Sequence, residues 1–215
     1  MKITKRIKTI ANMVDVANKV YDVGCDHAYL DIYLAGKGFC CVAIDVRKNI
    51  IEIAKQHVMD SGLQDRIDVV LNNGLNNIKL TENDVVILSG LGTNNILEII
   101  KNNFIKKIIV QSNDNLFLLR KVMSSRNYYI SEEQIIYEDN KYYVIIKFEQ
   151  GVKRYSEYEL FLGPKLLENK SLIFKQYLIE LYQHLTKVLE EIPDYCFEKK
   201  ASIEANIKYI KMALN

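Results

Sequence analysis

The sequence has no run of about 18 apolar residues, the length a membrane-crossing helix needs, and this removes a helical membrane protein from consideration. The N-terminal cations Lys2, Lys5, Arg6 and Lys8 have no apolar stretch behind them, so no secretory leader is expected and a cytoplasmic location is. Paired cysteine spacings are missing too. Cys25, Cys40, Cys41 and Cys196 lack the short intervals of a zinc site, and Cys40 and Cys41 sit inside an apolar run, so all four read as reduced thiols and no metal is expected. Nor is there an excess of one charge: a formal net charge of +2 and a pI near 8.2 permit an RNA partner without demanding one. What is present is 215 residues, 49% of them hydrophobic, enough to bury a sizeable core as one domain with an appendage or as two small domains.

The most informative stretch is Val20-Tyr21-Asp22-Val23-Gly24-Cys25-Asp26-His27-Ala28-Tyr29-Leu30. Four strand-forming residues run into a glycine and then into helical spacing, the opening of a Rossmann-like half. A dinucleotide fold places glycines here so that a pyrophosphate can approach the backbone and the helix N-terminus. This turn instead brackets Gly24 with Asp22 and Asp26, which repel a phosphate and suit a cationic ligand. S-adenosylmethionine, with its ammonium and sulfonium groups, is the common cofactor of that kind.

Along the chain, Ile3, Ile7, Ile10, Met13 and Val14 recur at helical spacing opposite Lys2, Lys5, Arg6 and Lys8, a short helix that either covers a sheet edge or contacts phosphates. Tyr29 to Lys37 reads as a helix, and Cys40 to Asp45 as a buried parallel strand ending in an acid. Asp45 follows Gly24 at the interval where such folds place a carboxylate for a ribose diol. The helix from Lys48 to Ser61 turns Ile50, Ile51, Ile53, Ala54, His57 and Val58 toward the core, with His57 at its boundary, and stops at Gly62. Ile67 to Leu71 is a third strand running into Asn72-Asn73-Gly74, where Asn73 either meets an adenine amine or serves as turn chemistry.

Asp84 to Thr93 is a fourth strand with Gly90 and Gly92 at its C-terminal end, where ligands of open α/β sheets bind. A helix from Asn94 to Asn103, a strand from Lys107 to Asn113, and a helix from Asn115 to Ser125 follow. Glu133 to Tyr137 and Tyr142 to Phe148, joined by Glu138-Asp139-Asn140-Lys141, form a hairpin. An alternating β/α half-sheet finished by an antiparallel hairpin is the strand plan of class I methyltransferases. After Gly163-Pro164, Phe174, Leu178, Leu181, Leu185, Val188 and Ile192 step by four and three, an a/d seam over about 25 residues and roughly 37 Å. Pro193 stops it. Asp194 opens a second helix with Ile203, Ile207, Ile210 and Leu214 in the same rhythm, giving an antiparallel hairpin that serves as packing or as an RNA arm. The expected division is a Rossmann-like domain over 1–151 and a helical coiled-coil domain over 152–215.

Asp22-Val23-Gly24-Cys25-Asp26-His27-Ala28-Tyr29-Leu30 resembles the D-I-G-S-D-H-A-Y-L signature of the bacterial tRNA (adenine-22-N1)-methyltransferases, the TrmK type. Asn73-Gly74-Leu75, Gly90-Leu91-Gly92-Thr93, Gln111-Ser112-Asn113 and Leu162-Gly163-Pro164 are similar, in order, to that family's D-G-L, G-M-G-G, Q-P-N and V-G-P. Asn73 stands where the family has an acid, Thr93 where it has a glycine, and Ser112 where it has a proline. Asn73 keeps a carbonyl acceptor; Thr93 adds bulk beside the base pocket.

The resemblance implies methyl transfer from S-adenosylmethionine to N1 of an unpaired or flipped adenine in tRNA. On that basis Asp22, Gly24, Asp45, Asn73 and Gly90 are expected to bind the cofactor. Asp26, His27 and Asn113 are expected to act on the target base, with Tyr29, Gly92 and Thr93 contacting substrate and Tyr29 as a stacking wall. Helix capping by Asp26 or His27, and a turn role for Asn113, are the structural alternatives. The expected protein is a monomer or weak dimer. Two other functions fit the residues: a class I methyltransferase acting on a small molecule or protein, its hairpin a dimerisation element, and a Rossmann-like RNA-binding protein that has lost catalysis through Asn73 and Thr93.

Overall fold

The computed structural model describes residues 3–193 and 195–215. Lys2 of the basic helix face and Asp194, the expected start of the last helix, lie outside them. Among the described residues, seven strands form one sheet: β1 (Val20–Val23), β2 (Cys41–Asp45), β3 (Ile67–Leu71), β4 (Val85–Leu91), β5 (Lys107–Ser112), β6 (Tyr128–Glu138) and β7 (Lys141–Gln150). Their order is β3-β2-β1-β4-β5-β7-β6. The first five run parallel, and β7 is antiparallel to both β5 and β6. Strand order therefore reverses between β1 and β4, which opens a cleft at their C-terminal ends.

Period-two alternation assigns the two faces. Tyr21, Val23, Val42, Ile44, Val86, Leu88, Ile108 and Val110 pack on one side with α4 (Thr93–Ile100) and α5 (Leu116–Ser125). Val20, Cys41, Ala43, Val85, Ile87 and Ile109 pack on the other with α1 (Lys5–Asn12), α2 (Tyr29–Gly36) and α3 (Lys48–Ser61). Each fully buried branched side chain contributes roughly 1.5–3 kcal/mol relative to exposure. In α3 the buried stripe is narrower than expected: Ile51, Ala54 and Val58 are buried, but Ile53 points to solvent and Ile50 is half-buried. The helix's 3.6-residue period cannot turn Ile50, Ile51 and Ile53 all to one side.

The β6–β7 hairpin turns at Asp139 and Asn140, both with left-handed φ (50° and 58°), the two-residue turn whose twist matches the strands. Both strands are longer than the sequence suggested, 11 and 10 residues. At the tip, the Glu138 carboxylate accepts from the backbone amides of Lys5 and Arg6, joining Thr4, which caps α1 through the Ile7 amide. Orphan donors at a helix N-terminus favour an anion. This contact fixes α1 beside the cleft.

Two short helices absent from the sequence reading, α6 (Glu157–Leu162) and α7 (Pro164–Asn169), link the hairpin to α8 (Leu172–Glu191) and α9 (Phe197–Leu214). At six residues each they show no sustained periodicity. Their signals were the Ser156/Glu159 capping box and Pro164 at the first helical position. Helix α8 has 20 residues rather than 25, so it spans about 30 Å. Its end at Glu191 follows from Pro193, which forces Ile192 into an extended conformation. In α9 the buried positions are Ile203, Ile210 and Ala213, with Leu214 exposed. Phe174, Leu178, Ile210 and Ala213 belong to the same cluster as the sheet residues, so the helical segment packs on the sheet's own core.

A buried ion pair fastens this junction. The Arg120 Nε donates to Glu133 Oε1 at 2.7 Å, with side-chain exposures of 1% and 0%. Arg120 Nη1 also donates to the Leu160 and Phe161 carbonyls at 3.0 and 3.1 Å, the C-terminal end of α6, while Glu133 Oε2 accepts from the Lys165 amide in the first turn of α7. The cation meets a helix's negative end and the anion a positive one. Gly163 lies between them because a Cβ there would sit 2.8 Å from Arg120 Nη2. Glu133→Leu should strand a buried guanidinium and destabilise the fold by about 3–5 kcal/mol, read from urea denaturation. The double change Arg120→Met/Glu133→Leu should recover much of that loss. A Glu133→Leu variant with an unchanged denaturation midpoint contradicts the pair's role.

Candidate active site

The cleft at the strand reversal has a volume of about 820 Å³. Its lining includes Asp22, Gly24, Asp26, His27, Tyr29, Asp45, Asn73, Gly90 and Asn113, nine of the eleven residues expected from the sequence. Gly92 and Thr93 are not among the lining residues. Thr93 is buried at the start of α4, its hydroxyl 2.8 Å from Ser112 Oγ and within reach of the Asp114 and Asn115 carbonyls. Asp114 accepts from the Thr93 amide at 2.8 Å, and its carboxyl is held below the usual range chiefly by that bond. Two of the departures from the family pattern, Thr93 and Ser112, thus touch each other: one polar contact ties β5 to α4. Thr93 packs inward instead of adding bulk to a base pocket.

Asp22 occupies the interior of β1, 4% exposed, and its amide and carbonyl belong to a strand paired on both sides. Burial pushes its carboxyl up to about 7, assisted by the charges of Asp45 and Asp26, while the neighbouring Asp31 carboxyl pulls it down. Gly24 follows with φ +86°, and its amide donates to the Ile44 carbonyl at 2.8 Å. The left-handed conformation suits glycine. Asp26 and Ala28 adopt left-handed φ as well (49° and 58°), a strained pair of non-glycine residues in one turn. Ala28 is the residue before α2 and no side chain caps that helix, so the capping alternative for Asp26 and His27 does not occur.

Asp45 ends β2, 3% exposed. Arg47 grips it through Nε and the backbone amide on Oδ1, each 2.9 Å, and Nη2 on Oδ2 at 2.8 Å. Burial alone raises this carboxyl, but the Arg47 bonds outweigh it and hold it below the ordinary value. Arg47 Nη2 also lies 3.6 Å from Asp26 Oδ1, and Asp26 lies 3.8 Å from His27 Nε2. A ribose diol can reach Asp45 only by sharing or displacing Arg47.

At the outer rim, the rings of His27, Tyr29 and His57 gather. Tyr29 stacks on His27 at 5.6 Å and on His57 at 5.1 Å between centroids, and His57 Nδ1 sits 3.1 Å from the His27 carbonyl oxygen. His57 is therefore a boundary residue, as expected, but one that buttresses the rim. Asn113 is fixed at both ends: its Nδ2 donates to the Gly90 carbonyl at 2.7 Å, and its Oδ1 accepts from Gln111 at 3.1 Å. Asn73 stands exposed above the cleft, with Asn72 bracing the loop through the Gly74 and Asn76 carbonyls. From α1, Thr4, Arg6, Ile7 and Ile10 close the cleft's far side, and the Arg6 guanidinium lies over the Tyr143 ring at 5.1 Å.

Sequence reasoning passed over Arg47, Arg6 and Asp31. Arg47 stands only two residues past Asp45, and that nearness was its signal; Arg6 was read only as part of a basic helix face, because its contacts with Gln111 and Tyr143 cross the fold and leave no local pattern. Asp31 did carry one: it shares the helix face of Leu34 and Ala35, both buried.

A family model described as tRNA (adenine(22)-N(1))-methyltransferase matches residues 20–213. The chain belongs to this TrmK family. It is 30% identical over 206 residues to the Bacillus subtilis tRNA (adenine(22)-N(1))-methyltransferase, covering 89% of this chain and 86% of the relative. The structure of M. capricolum TrmK in complex with the cofactor product S-adenosyl-homocysteine superposes with a TM-score of 0.89 at 32% identity, covering 100% of this chain and 98% of that one. A Streptococcus pneumoniae structure in complex with S-adenosyl-L-methionine gives a TM-score of 0.89 at 28% identity, with 100% of each chain covered. The class I methyltransferase fold read from the sequence is the observed one. Among the described residues no helix is long and apolar enough to cross a membrane, and no group of acid, histidine and cysteine side chains is gathered to hold a metal ion.

Asp114→Ala removes the acceptor for the first amide of α4 and one side of the Thr93–Ser112 contact. It should cost about 1 kcal/mol, as loss of a helix cap does, and lower the melting temperature by about 2–4 °C. Differential scanning calorimetry checks this; no change in melting temperature contradicts the account of Thr93.

Proposed function

We propose that the acidic turn of this TrmK-family enzyme binds S-adenosylmethionine along Asp22, Gly24, Asp45, Asn73 and Gly90 and offers its methyl group to N1 of an adenine in tRNA held by Asp26, His27, Asn113 and Tyr29. The observation that carries this division is the gradient of exposure within one cleft. Asp22 and Asp45 are buried at the strand ends, while the Asp26 side chain is 60% exposed at the rim beside the aromatic group. A cofactor lies over the strand ends and a base enters from the rim.

Adenine N1 carries a neutral lone pair, so no general base need take a proton before attack. Catalysis then comes from holding N1 in line with the methyl carbon at about 3–3.5 Å, a proximity effect worth up to roughly 7–11 kcal/mol in favourable systems. The ring becomes cationic as the bond forms. The Asp26 carboxylate and the Asn113 Oδ1 supply fixed negative potential for that charge, and Asn113 is pre-positioned by its two bonds. Stacking on Tyr29 holds the base plane, and a paired adenine has to be opened at a cost of a few kcal/mol.

In this reading residues 1–151 form the cofactor-binding domain and 152–215 a helical domain whose exposed Lys175, Lys187, Lys208 and Lys211 track the RNA backbone. The enzyme acts in the cytoplasm, as a monomer or weak dimer.

Incubation with labelled S-adenosylmethionine and unmodified tRNA, followed by mapping of the product, should give N1-methyladenosine at position 22. Asp26→Ala should lower kcat about 10²–10³-fold, as loss of one transition-state electrostatic partner does, with cofactor affinity unchanged within about threefold. No methylation of any tRNA despite measurable cofactor binding overturns the function; full activity of Asp26→Ala overturns the role of Asp26.

A further inference from the structure

Behind Asp22 lies a second carboxyl group that the reaction as described does not use. Asp31, in the first turn of α2, is fully buried, and no amide, hydroxyl or cation of another described residue donates to either of its oxygens. The polar group that acts on it at close range is the carboxyl of Asp22. Two carboxylates bond to each other only when a proton lies between them. Burial, then the charge of Asp22 and the bond to it, push the Asp31 carboxyl well above the usual carboxylate range; the same bond lowers Asp22. Asp31 is shut away from the cleft that Asp22 lines, which favours the neutral, proton-donating form at Asp31.

The surroundings leave no other way to settle this charge. The thiols of Cys25 and Cys41 face the pair from the turn and from β2, and burial, with the two aspartates adding to it, keeps both protonated. Asp26 and Asp45 add negative charge on the side of Asp22. Arg47, the cation at hand, is committed to Asp45 and Asp26. Helix α1, packed on α2, adds Ile10 and Ala11 to the apolar cluster around it. Asp22 lines the cleft and Asp31 does not, so the pair has one wet and one dry member.

We propose that Asp31 is a positioning residue for the cofactor: its protonated carboxyl donates to Asp22, holding that carboxylate ionised and turned toward the positively charged end of S-adenosylmethionine. This rests on the cofactor assignment above. A neutral donor behind an anion gives Asp22 a fixed orientation without a counter-ion that would compete with the ligand's charge. Oriented carboxylates with charge-assisted bonds are the stronger partners for a cation.

The test is the dissociation constant of S-adenosylmethionine, by calorimetry from pH 6 to 9, for the unaltered protein, Asp31→Asn and Asp31→Leu. Asparagine keeps a donor and should bind within about threefold of the unaltered protein at pH 7. Leucine removes the donor; affinity at pH 7 should fall about tenfold or more, and the pH at which affinity rises should move upward, because Asp22 then ionises unaided. The cofactor's own titration is common to all three proteins. A second readout does not depend on the leucine variant folding: an infrared carbonyl band of a protonated buried carboxyl, present in the unaltered protein at pH 8 and missing in Asp31→Asn. Equal affinities and pH profiles for all three, equal weakening of both variants with an unmoved profile, or no such band overturn the proposal alone. Failure of the unaltered protein to bind S-adenosylmethionine at any pH overturns the cofactor assignment and this proposal with it.

Discussion

A parallel sheet whose strand order reverses opens a cleft at one place, and here that place is the C-terminal end of β1 beside β4. Everything functional in the molecule follows from which residues the chain puts there. It puts acids. Asp22 is carried inside the strand, where desolvation makes its charge costly. A buried carboxylate with no cation built against it is an incomplete site whose missing partner is a positively charged ligand. The turn thus states the charge of its cofactor before any cofactor contact is seen.

The remaining structure keeps that turn open and steady. Glu138 at the hairpin tip holds α1 along the cleft's far side, and the Thr93–Ser112–Asp114 contact ties β5 to α4 on the opposite side. Arg120 and Glu133 fasten the C-terminal helices to the back of the same sheet. Asp26 and Ala28 remain in left-handed conformations that cost energy, and the surrounding strands hold them. Both fall in the turn whose residues line the cleft.

Much of this was legible in the residues. Period-two strands, the helix ending at Gly62 and the Asp139-Asn140 turn obey local rules, so their places follow from the sequence. So did the location of the cleft, because Asp22, Gly24, Asp45 and Gly90 all stand at or next to the C-terminal residue of a strand. What the sequence did not disclose were interactions across the fold. His57 under Tyr29 and Arg120 on Glu133 join elements separated along the chain, with no pattern to announce them; Arg47, only two residues past Asp45, was passed over although it lay close by. Thr93 was misplaced for a related reason: as a departure from a family motif it drew attention to the pocket, whereas its hydroxyl was satisfied inward by Ser112, a second departure. Asp31 was hidden inside an apolar helix face where an acid has no business unless something shares its proton.

The central claim is that the acidic turn selects a cationic, phosphate-free cofactor. Calorimetric titration of the unaltered protein with S-adenosylmethionine and, separately, with a nicotinamide dinucleotide tests it most directly. Saturable binding of S-adenosylmethionine with no heat from the dinucleotide is the predicted result; binding of the dinucleotide as tight as that of S-adenosylmethionine, or tighter, contradicts the account.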